Sequence, residues 1–171
     1  MPAVRARRQS NQTRKQKMNE SDSVKKFWQE FCAANPDVNS DEPYQVWFFG
    51  DDSKMAKDLV ELVLQGKKTA TASLFWEYEN KPEDEPIVDG YSVVTDYEGV
   101  PQCVLRTTEL RVMPFNEVDE KFAFDEGEGD QSLDYWREVH WDYFSRRCVE
   151  IHREPSNTML VNCERFQLLY P

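Results

Sequence analysis

The sequence lacks several features that would place it in a particular class of protein. No apolar run approaches the roughly 18–20 residues needed to cross a bilayer. No apolar stretch follows the positively charged residues 1–17, so we predict no signal peptide. The four cysteines are widely spaced with no C-x-x-C pair, so we expect no zinc site and no disulfides, only buried reduced thiols. These absences predict an intracellular, cytoplasmic protein with no membrane partner.

Acidic residues are absent from residues 1–17 and abundant after them. The first 17 residues carry six basic side chains, which leaves 15 basic residues against 32 acidic ones in residues 18–171. Residues 18–171 are acidic enough to repel a long phosphate backbone, because proteins gain nucleic-acid affinity by neutralising phosphates. A role with nucleic acid therefore needs a local basic pocket, the basic tail, or a small substrate such as a nucleoside.

The division of the chain follows from this contrast. We predict that residues 1–20 are a disordered basic tail and that residues 21–171 form one domain. Met18 would make a plausible start, so an extension without function is the simpler explanation, and weak RNA contact is the alternative. Hydrophobic content of 39% with 13% aromatic residues is typical of a globular chain. No oligomeric state follows from the sequence.

Apolar periodicity predicts three helices and several short strands. The helices cover residues 22–34 with Ser21 or Asp22 as cap, the segment from Asp51 or Asp52 to the terminator Gly66, and residues 131–147. The strands are expected at residues 44–49, 69–76, 91–96, 102–112 and 159–169. Residues 114–130 are interpreted as an acidic, glycine-containing connection. The predicted class is α+β, with the short strands closed into a small β-barrel flanked by helices.

The junction Gly66-Lys67-Lys68-Thr69-Ala70-Thr71 is the first candidate site. Its simple explanation is a helix stop at glycine, lysines that favour the helix dipole, and strand-forming threonines. A lysine at such a turn can also point into a pocket and hold a carbonyl oxygen or phosphate, or act as a base if burial lowers its pKa. Lys68 and Thr71 are three residues apart and would face opposite sides of one regular strand. They can converge only if the strand begins after Lys68.

The run Asp125-Glu126-Gly127-Glu128-Gly129-Asp130 is the second candidate. It fits a solvated loop whose last carboxylate caps the next helix, or a tight turn whose glycines approach a ligand. The run lacks the spacing of a calcium loop. A carboxylate near Lys68 would keep the ammonium charged and so oppose a role as base. Both roles of Lys68 stay open from the sequence.

Four further positions are candidates for substrate contact, namely Trp76, Glu109, Trp136 and Arg137. Trp136 and His140 lie four residues apart on the last predicted helix, with Arg137 beside them, and such a pair is more often core than site. If that helix lines a pocket mouth, Trp136 or Trp76 could stack on a base. His140 has no second histidine or cysteine at ligand spacing, so we assign it no metal. Glu109 is a candidate for the pocket wall, with surface exposure as the alternative.

A set of motifs runs in a fixed order through residues 25–170. They are Trp47-Phe48-Phe49-Gly50-Asp51, Leu62-Val63-Leu64, Gly66-Lys67-Lys68-Thr69-Ala70-Thr71, Arg106-Thr107-Thr108-Glu109, Pro114-Phe115, Glu126-Gly127-Glu128-Gly129-Asp130, Ser132-Leu133, and Trp136-Arg137 followed by His140. Each is weak alone. In combination and in this order they resemble the longer bacterial ASCH-domain proteins, so residues 21–171 are identified as an ASCH domain.

The resemblance implies a β-barrel fold related to the PUA domain, a class associated with RNA binding. Relatives in that superfamily include a protein described as a ribonuclease, and bacterial amidohydrolases that remove the acetyl group from N4-acetylcytidine. The amidohydrolases have a proposed catalytic set of Lys, Thr and Glu. Matched by motif, these residues are Lys68, Thr71 and Glu126, with Glu128 as the other position for the carboxylate. The long form adds residues around 76–90 and at both ends, which leaves the substrate open.

The leading hypothesis is a pocket for a nucleoside or an RNA nucleotide with hydrolytic activity. In it Thr71 is the nucleophile or positions water, Lys68 activates Thr71 or stabilises the oxyanion, and Glu126 or Glu128 orients the lysine and relays protons. The substrate-binding candidates are Glu128, Glu109, Trp76, Trp136 and Arg137. The alternatives are a non-catalytic RNA-binding module and a metal-assisted ribonuclease that uses the acidic connection. No cofactor is expected, except a divalent metal under the ribonuclease hypothesis.

Overall fold

The computed structural model describes residues 21–171, so the predicted tail at residues 1–20 lies outside the described residues. The helices within this range are α1 (Asp22–Ala34), α2 (Ser53–Leu64), α3 (Glu120–Glu126) and α4 (Leu133–Glu150). The strands are β1 (Tyr44–Trp47), β2 (Ala70–Leu74), β3 (Tyr91–Thr95), β4 (Pro101–Pro114) and β5 (Leu160–Tyr170). The predicted α+β class is confirmed.

The helices begin at side-chain caps that the sequence makes visible. The Asp52 carboxylate accepts a hydrogen bond from the backbone N–H of Met55 at the start of α2, and Ser21 caps α1 in the same way. Such a cap satisfies a backbone donor that the first helical turn leaves without a partner. One face of α2 is then buried through Ala56, Val60 and Val63. The predicted helix ahead of Gly66 is therefore present.

The strands form one sheet in the order β1-β3-β4-β5-β2, with β1 parallel to β3 and the other pairs antiparallel. The sheet is open, whereas the sequence predicted closure into a barrel. The edge strands β1 and β2 do not pair, because α2 connects them and packs Val60 and Val63 beside Trp47. Both edges are short, at four and five residues, and short edges limit unwanted pairing.

The strand β5, between β4 and the edge strand β2, divides two apolar cores by the alternation of its side chains. Val161 and Cys163 pack with α3 and α4, whereas Phe166 packs on the other side with Phe49 and α2. A third cluster buries α1 against β1, β3 and β4. The functional side chains described below lie where the first two cores meet.

One helix was missed in the connection predicted for residues 114–130. Asp119 caps α3, and Phe122 and Ala123 bury one side of it, so this short helix depends on tertiary packing. All four cysteines are buried and unpaired, as predicted. Across residues 21–171, no helix has the length and apolar character required to cross a membrane.

Candidate functional site

Lys68 lies in the connection between α2 and β2, ahead of the strand that carries Thr71. Gly66 adopts a left-handed conformation with φ of 74°, which glycine reaches without strain. The backbone N–H groups of Lys67 and Lys68 then both donate to the carbonyl of Leu62, at 2.9 and 3.1 Å. The turn leaves Lys67 exposed and buries Lys68 at 1% exposure. The condition set by the spacing, that the strand begins after Lys68, is met.

The end of α3 is held directly against this connection. The backbone N–H of Thr69 donates to the carbonyl of Asp125 at 2.8 Å. Gly127 ends α3 with φ of 72°, and a Cβ at this position would lie 2.5 Å from the carbonyl oxygen of Lys67. Only glycine fits here, for both conformation and space. This close approach places the side chains of Glu126 and Glu128 at Lys68.

The Lys68 ammonium is held by two carboxylates. Its Nζ atom is 2.7 Å from Glu126 Oε2 and 2.7 Å from Glu128 Oε1, and it also donates to the backbone carbonyl of Glu126 at 3.3 Å. Three acceptors match the three N–H groups of an ammonium. The ring of Phe49 lies on another side, its centroid 5.5 Å from Nζ. Glu126 is 1% exposed, whereas the Glu128 side chain is 20% exposed and forms the outer edge of the site.

The second oxygen of Glu126 is bound from α4. Its Oε1 accepts a hydrogen bond from Trp136 Nε1 at 3.0 Å and lies 3.3 Å from His140 Nε2. The other ring nitrogen of His140, Nδ1, is 2.9 Å from the backbone oxygen of Trp136. Both nitrogens of His140 thus face acceptors, and only the doubly protonated ring donates to both. The site holds two carboxylates and two cations.

Electrostatics agree with this arrangement. Burial acts to lower the pKa of Lys68, but the carboxylates of Glu126 and Glu128 outweigh it and raise the pKa above its ordinary value. Burial acts to raise the pKa of Glu126, yet Lys68 and His140 hold it well below its usual range. Burial likewise acts to lower the pKa of His140, and Glu126 raises it above the ordinary value. Lys68 is therefore a fixed cation, and the role of base that the sequence left open does not fit it.

These shifts give a pH dependence to the free energy of unfolding. Glu126, whose pKa is depressed on folding, stabilises the fold above about pH 4.3, and that contribution is lost as the pH falls. His140, whose pKa is raised, stabilises the fold below about pH 6.5, and that contribution is lost as the pH rises through the raised pKa. We expect the free energy of unfolding from urea titrations to fall between pH 6 and pH 9.

The chain offers a matched control, because it contains two histidines and His152 is exposed. His140→Gln should remove most of the decline above pH 6, since glutamine does not titrate. His152→Asn should keep it. A decline of equal size in both variants would show that His140 is not the titrating group.

Glu126, Glu128 and His140 also form a group that could hold a metal, with ligand atoms within 4.8 Å of one another. The Lys68 ammonium already takes the cation position, 2.7 Å from one oxygen of each carboxylate. The two ring nitrogens of His140 face the Glu126 carboxylate and the backbone oxygen of Trp136, and a ring that donates to both offers no lone pair to a metal. The sequence analysis assigned His140 no metal because no second histidine or cysteine lies at ligand spacing. The fold instead brings two carboxylates close to His140. As arranged, these residues do not fit a metal.

Some of the predicted site residues have other hydrogen-bond or ion-pair partners than this cluster. Thr71 is opposite Glu164 across β2 and β5, and it is not among the hydrogen-bond partners of the Lys68 ammonium. Glu109 forms ion pairs with Arg111 and Arg165. A bulge in β4 lies between Thr107 and Glu109, so these two side chains do not follow the regular alternation of a strand.

The predicted base-stacking residues also have other surroundings. Trp136 is 2% exposed, and its ring stacks on His140 at 4.2 Å between centroids, so the expected stacking of Trp136 on a base is wrong and its contact is to Glu126. Trp76 packs on the core of α3 and α4 with the guanidinium of Arg153 over its ring at 4.8 Å. Arg137 is exposed on α4. The predicted residues that meet are Lys68, Glu126, Glu128 and Trp136.

The structure adds two groups that sequence reasoning did not assign to a site. His140 was interpreted as core because it lies four residues from Trp136, and that same spacing is what aims both side chains at Glu126. Glu164 and Asn162 are buried polar residues on β5. Their signal was the alternation of polar Asn162 and Glu164 with apolar Val161 and Cys163 in the first half of the strand.

Comparisons with known proteins agree on one family. A family model described as "ASCH domain" matches residues 45–170. The crystal structure of an ASCH domain from Lactobacillus crispatus JV V101 is 33% identical, with a TM-score of 0.79 over 86% of this chain and 94% of that one. A protein from Enterococcus faecalis V583 is 34% identical, with a TM-score of 0.76 over 86% of this chain and 88% of the other. No curated protein matches the chain.

Proposed function

The chain belongs to the ASCH domain family, whose PUA-like fold is a class associated with RNA binding. On this premise we propose that the Lys68 site binds a nucleoside or an RNA nucleotide. We propose further that the site hydrolyses an acyl amide on the base. The substrate class we propose is an N4-acylated cytidine. This substrate is small, so an acidic body with 32 carboxylates does not oppose its binding as it would a long phosphate backbone.

The observation that carries the proposal is the buried ammonium between Glu126 and Glu128. A fully buried ion pair contributes little net stability, because the loss of hydration offsets the attraction, and apolar side chains in place of all its members would serve the fold as well. The Lys68 side chain is 0% exposed and the Glu128 side chain 20% exposed. An interior cation that meets the surface through one carboxylate is what a site for polar chemistry requires.

The chemistry assigns each group one task. Water adds to the acyl carbonyl carbon while Glu128 accepts a proton from it, and the Lys68 ammonium stabilises the oxyanion that forms. The C–N bond then breaks, the proton passes to N4, and the products are a carboxylic acid and cytidine. The contact that a substrate oxygen can replace is the longest one, at 3.3 Å to the carbonyl of Glu126. Thr71 is left to position the water, since an ammonium has no lone pair with which to activate it.

A second function, RNA binding without catalysis, is favoured by one observation. Every N–H of the Lys68 ammonium already has an acceptor, which suits a fixed binding group as well as a catalytic one. The metal-assisted ribonuclease is not favoured, since the ammonium fills the cation position between the carboxylates.

A panel of nucleosides tests the proposal. We expect purified protein to convert N4-acetylcytidine to cytidine and acetate, detected by mass spectrometry, and to leave an N6-acylated adenosine unchanged. Turnover that persists in the presence of a chelator is expected, because no step uses a metal. Intact N4-acetylcytidine after long incubation, with RNA binding whose affinity falls with salt, would support the non-catalytic module instead.

A further inference from the structure

A row of polar side chains interrupts the apolar face of the sheet on the side away from α3 and α4. Along β5, Phe166 faces the core beside α2, and the next residues on that face are Glu164 and Asn162. Asn162 is 0% and Glu164 2% exposed, in the middle of the sheet where apolar side chains are the norm. The neighbouring residues Val161 and Cys163 are apolar and pack on the opposite face.

The row extends onto the adjacent strand. Ser73 lies directly opposite Asn162, and Thr71 directly opposite Glu164, in the antiparallel pairing of β2 with β5. Side chains at directly opposed positions stand on the same face and contact each other. We call Thr71, Ser73, Asn162 and Glu164 the polar row. Its member Thr71 is three residues from Lys68 along the chain.

The segment that follows β2 covers this row with further polar groups. Tyr78 donates from its hydroxyl to Ser73 Oγ at 2.9 Å, and Asn162 Nδ2 makes a long 3.4 Å contact with Glu85 Oε1. Thr107, from β4, donates to Glu164 Oε1 at 2.6 Å. Glu85, Thr71 and Ser73 are half-buried, so part of the row is exposed to solvent.

One acceptor in the row is left without a donor. Asn162 Oδ1 is buried and has no hydrogen-bond partner anywhere in residues 21–171. A buried polar atom without a partner destabilises a fold, and a leucine of similar size would avoid that penalty. The remaining amide contact, at 3.4 Å, is too long to offset it. Asn162 therefore lowers the stability of the fold, as is typical of residues that contact a ligand.

We propose that the polar row is a second part of the nucleoside site, in which Asn162 Oδ1 accepts a hydrogen bond from an N–H or O–H group of the ligand. This inference rests on the proposed function and names the groups that hold the nucleoside. The acceptors of the row, with the carboxylates of Glu164 and Glu85, select a neutral donor and repel a phosphate. The donor is either the amino edge of the base or a hydroxyl of the sugar.

The test measures binding and stability of one variant together. Asn162→Leu should raise the dissociation constant for cytidine at least tenfold in isothermal titration calorimetry, and its melting temperature should equal or exceed that of the wild type. A purely structural asparagine would give the reverse, namely a lower melting temperature with binding unchanged. Asn157→Leu, at an exposed position shortly before β5, is the matched control and should bind as the wild type does.

Binding of cytidine, uridine and 2′-deoxycytidine shows whether the base or the sugar donates the hydrogen bond to Asn162. If the base supplies it, uridine should bind the wild type more weakly than cytidine, and 2′-deoxycytidine should bind like cytidine. If the sugar supplies it, 2′-deoxycytidine should be the weaker ligand. Wild-type binding that Asn162→Leu leaves unchanged overturns the polar row alone, whereas a wild type that binds none of the three nucleosides overturns the proposed function as well.

Discussion

Replacement of Lys68 by methionine is expected to abolish hydrolysis of N4-acetylcytidine and to lower the free energy of unfolding by about 3–5 kcal/mol. The loss of stability follows because Glu126, 1% exposed, would keep a buried charge without the ammonium that holds it. The loss of activity follows because the oxyanion would lose its cation, and removal of one such group typically costs about 10²–10³ in kcat. Urea titration and acetate release measure the two effects.

Lys67→Met is the matched control, since Lys67 is adjacent and exposed. It should leave both quantities unchanged. The double variant Lys68→Met with Glu126→Gln separates lost chemistry from lost folding, because it removes both charges of the pair. It should be more stable than Lys68→Met alone and still inactive. Acetate release at the wild-type rate by folded Lys68→Met would contradict the proposed role of the ammonium.

The second large effect is a difference between the two glutamates that share the ammonium. Glu126→Gln should lower the free energy of unfolding by about 3 kcal/mol, since its buried charge faces Lys68 and His140. Glu128→Gln should lower it by about 1 kcal/mol at most, because this side chain is partly exposed and Lys68 keeps Glu126. Its kcat should nevertheless fall by about 10²–10⁴ with KM little changed, as expected for loss of a general base.

Glu138→Gln, on the exposed side of α4, controls for the same change of side chain and should alter neither stability nor kcat. Steady-state kinetics and urea titration on the four proteins give the comparison. Equal losses of stability in Glu126→Gln and Glu128→Gln would contradict these roles, in which Glu126 holds the lysine and Glu128 faces the substrate.

Much of the fold could be predicted because its signals are local. Caps at Ser21 and Asp52 and the stop at Gly66 are visible in the sequence, since each acts on backbone groups only a few residues away. Barrel closure was not predictable in this way. It depends on whether β1 and β2 pair, and that pairing is a long-range contact with no local signal in the sequence. The helix α3 was missed because its seven residues are stabilised by tertiary contacts to Phe122 and Ala123.

The site was predicted in its parts and not in its geometry. Motif resemblance selected Lys68 and left Glu126 and Glu128 as alternatives, whereas the structure brings both carboxylates to the same ammonium. The protonation state of Lys68 could not be settled from sequence, because burial and ion pairing shift the pKa in opposite directions and only distances decide between them. Trp136 was misplaced for a similar reason. A helical face can serve the interior or a ligand, and its sequence is the same in both cases.

The close approach of Gly127 to the backbone of Lys67 has a consequence for how this domain reaches its native state. The ammonium and Glu126 are 58 residues apart, and in the native structure β2 pairs with β5 while α3 packs beside it. Closure of so long a loop is slow, and it is opposed by chain entropy until the surrounding contacts form. The charged cluster is therefore a product of the whole domain, because the lysine and both glutamates form it only together with the long-range contacts that surround them.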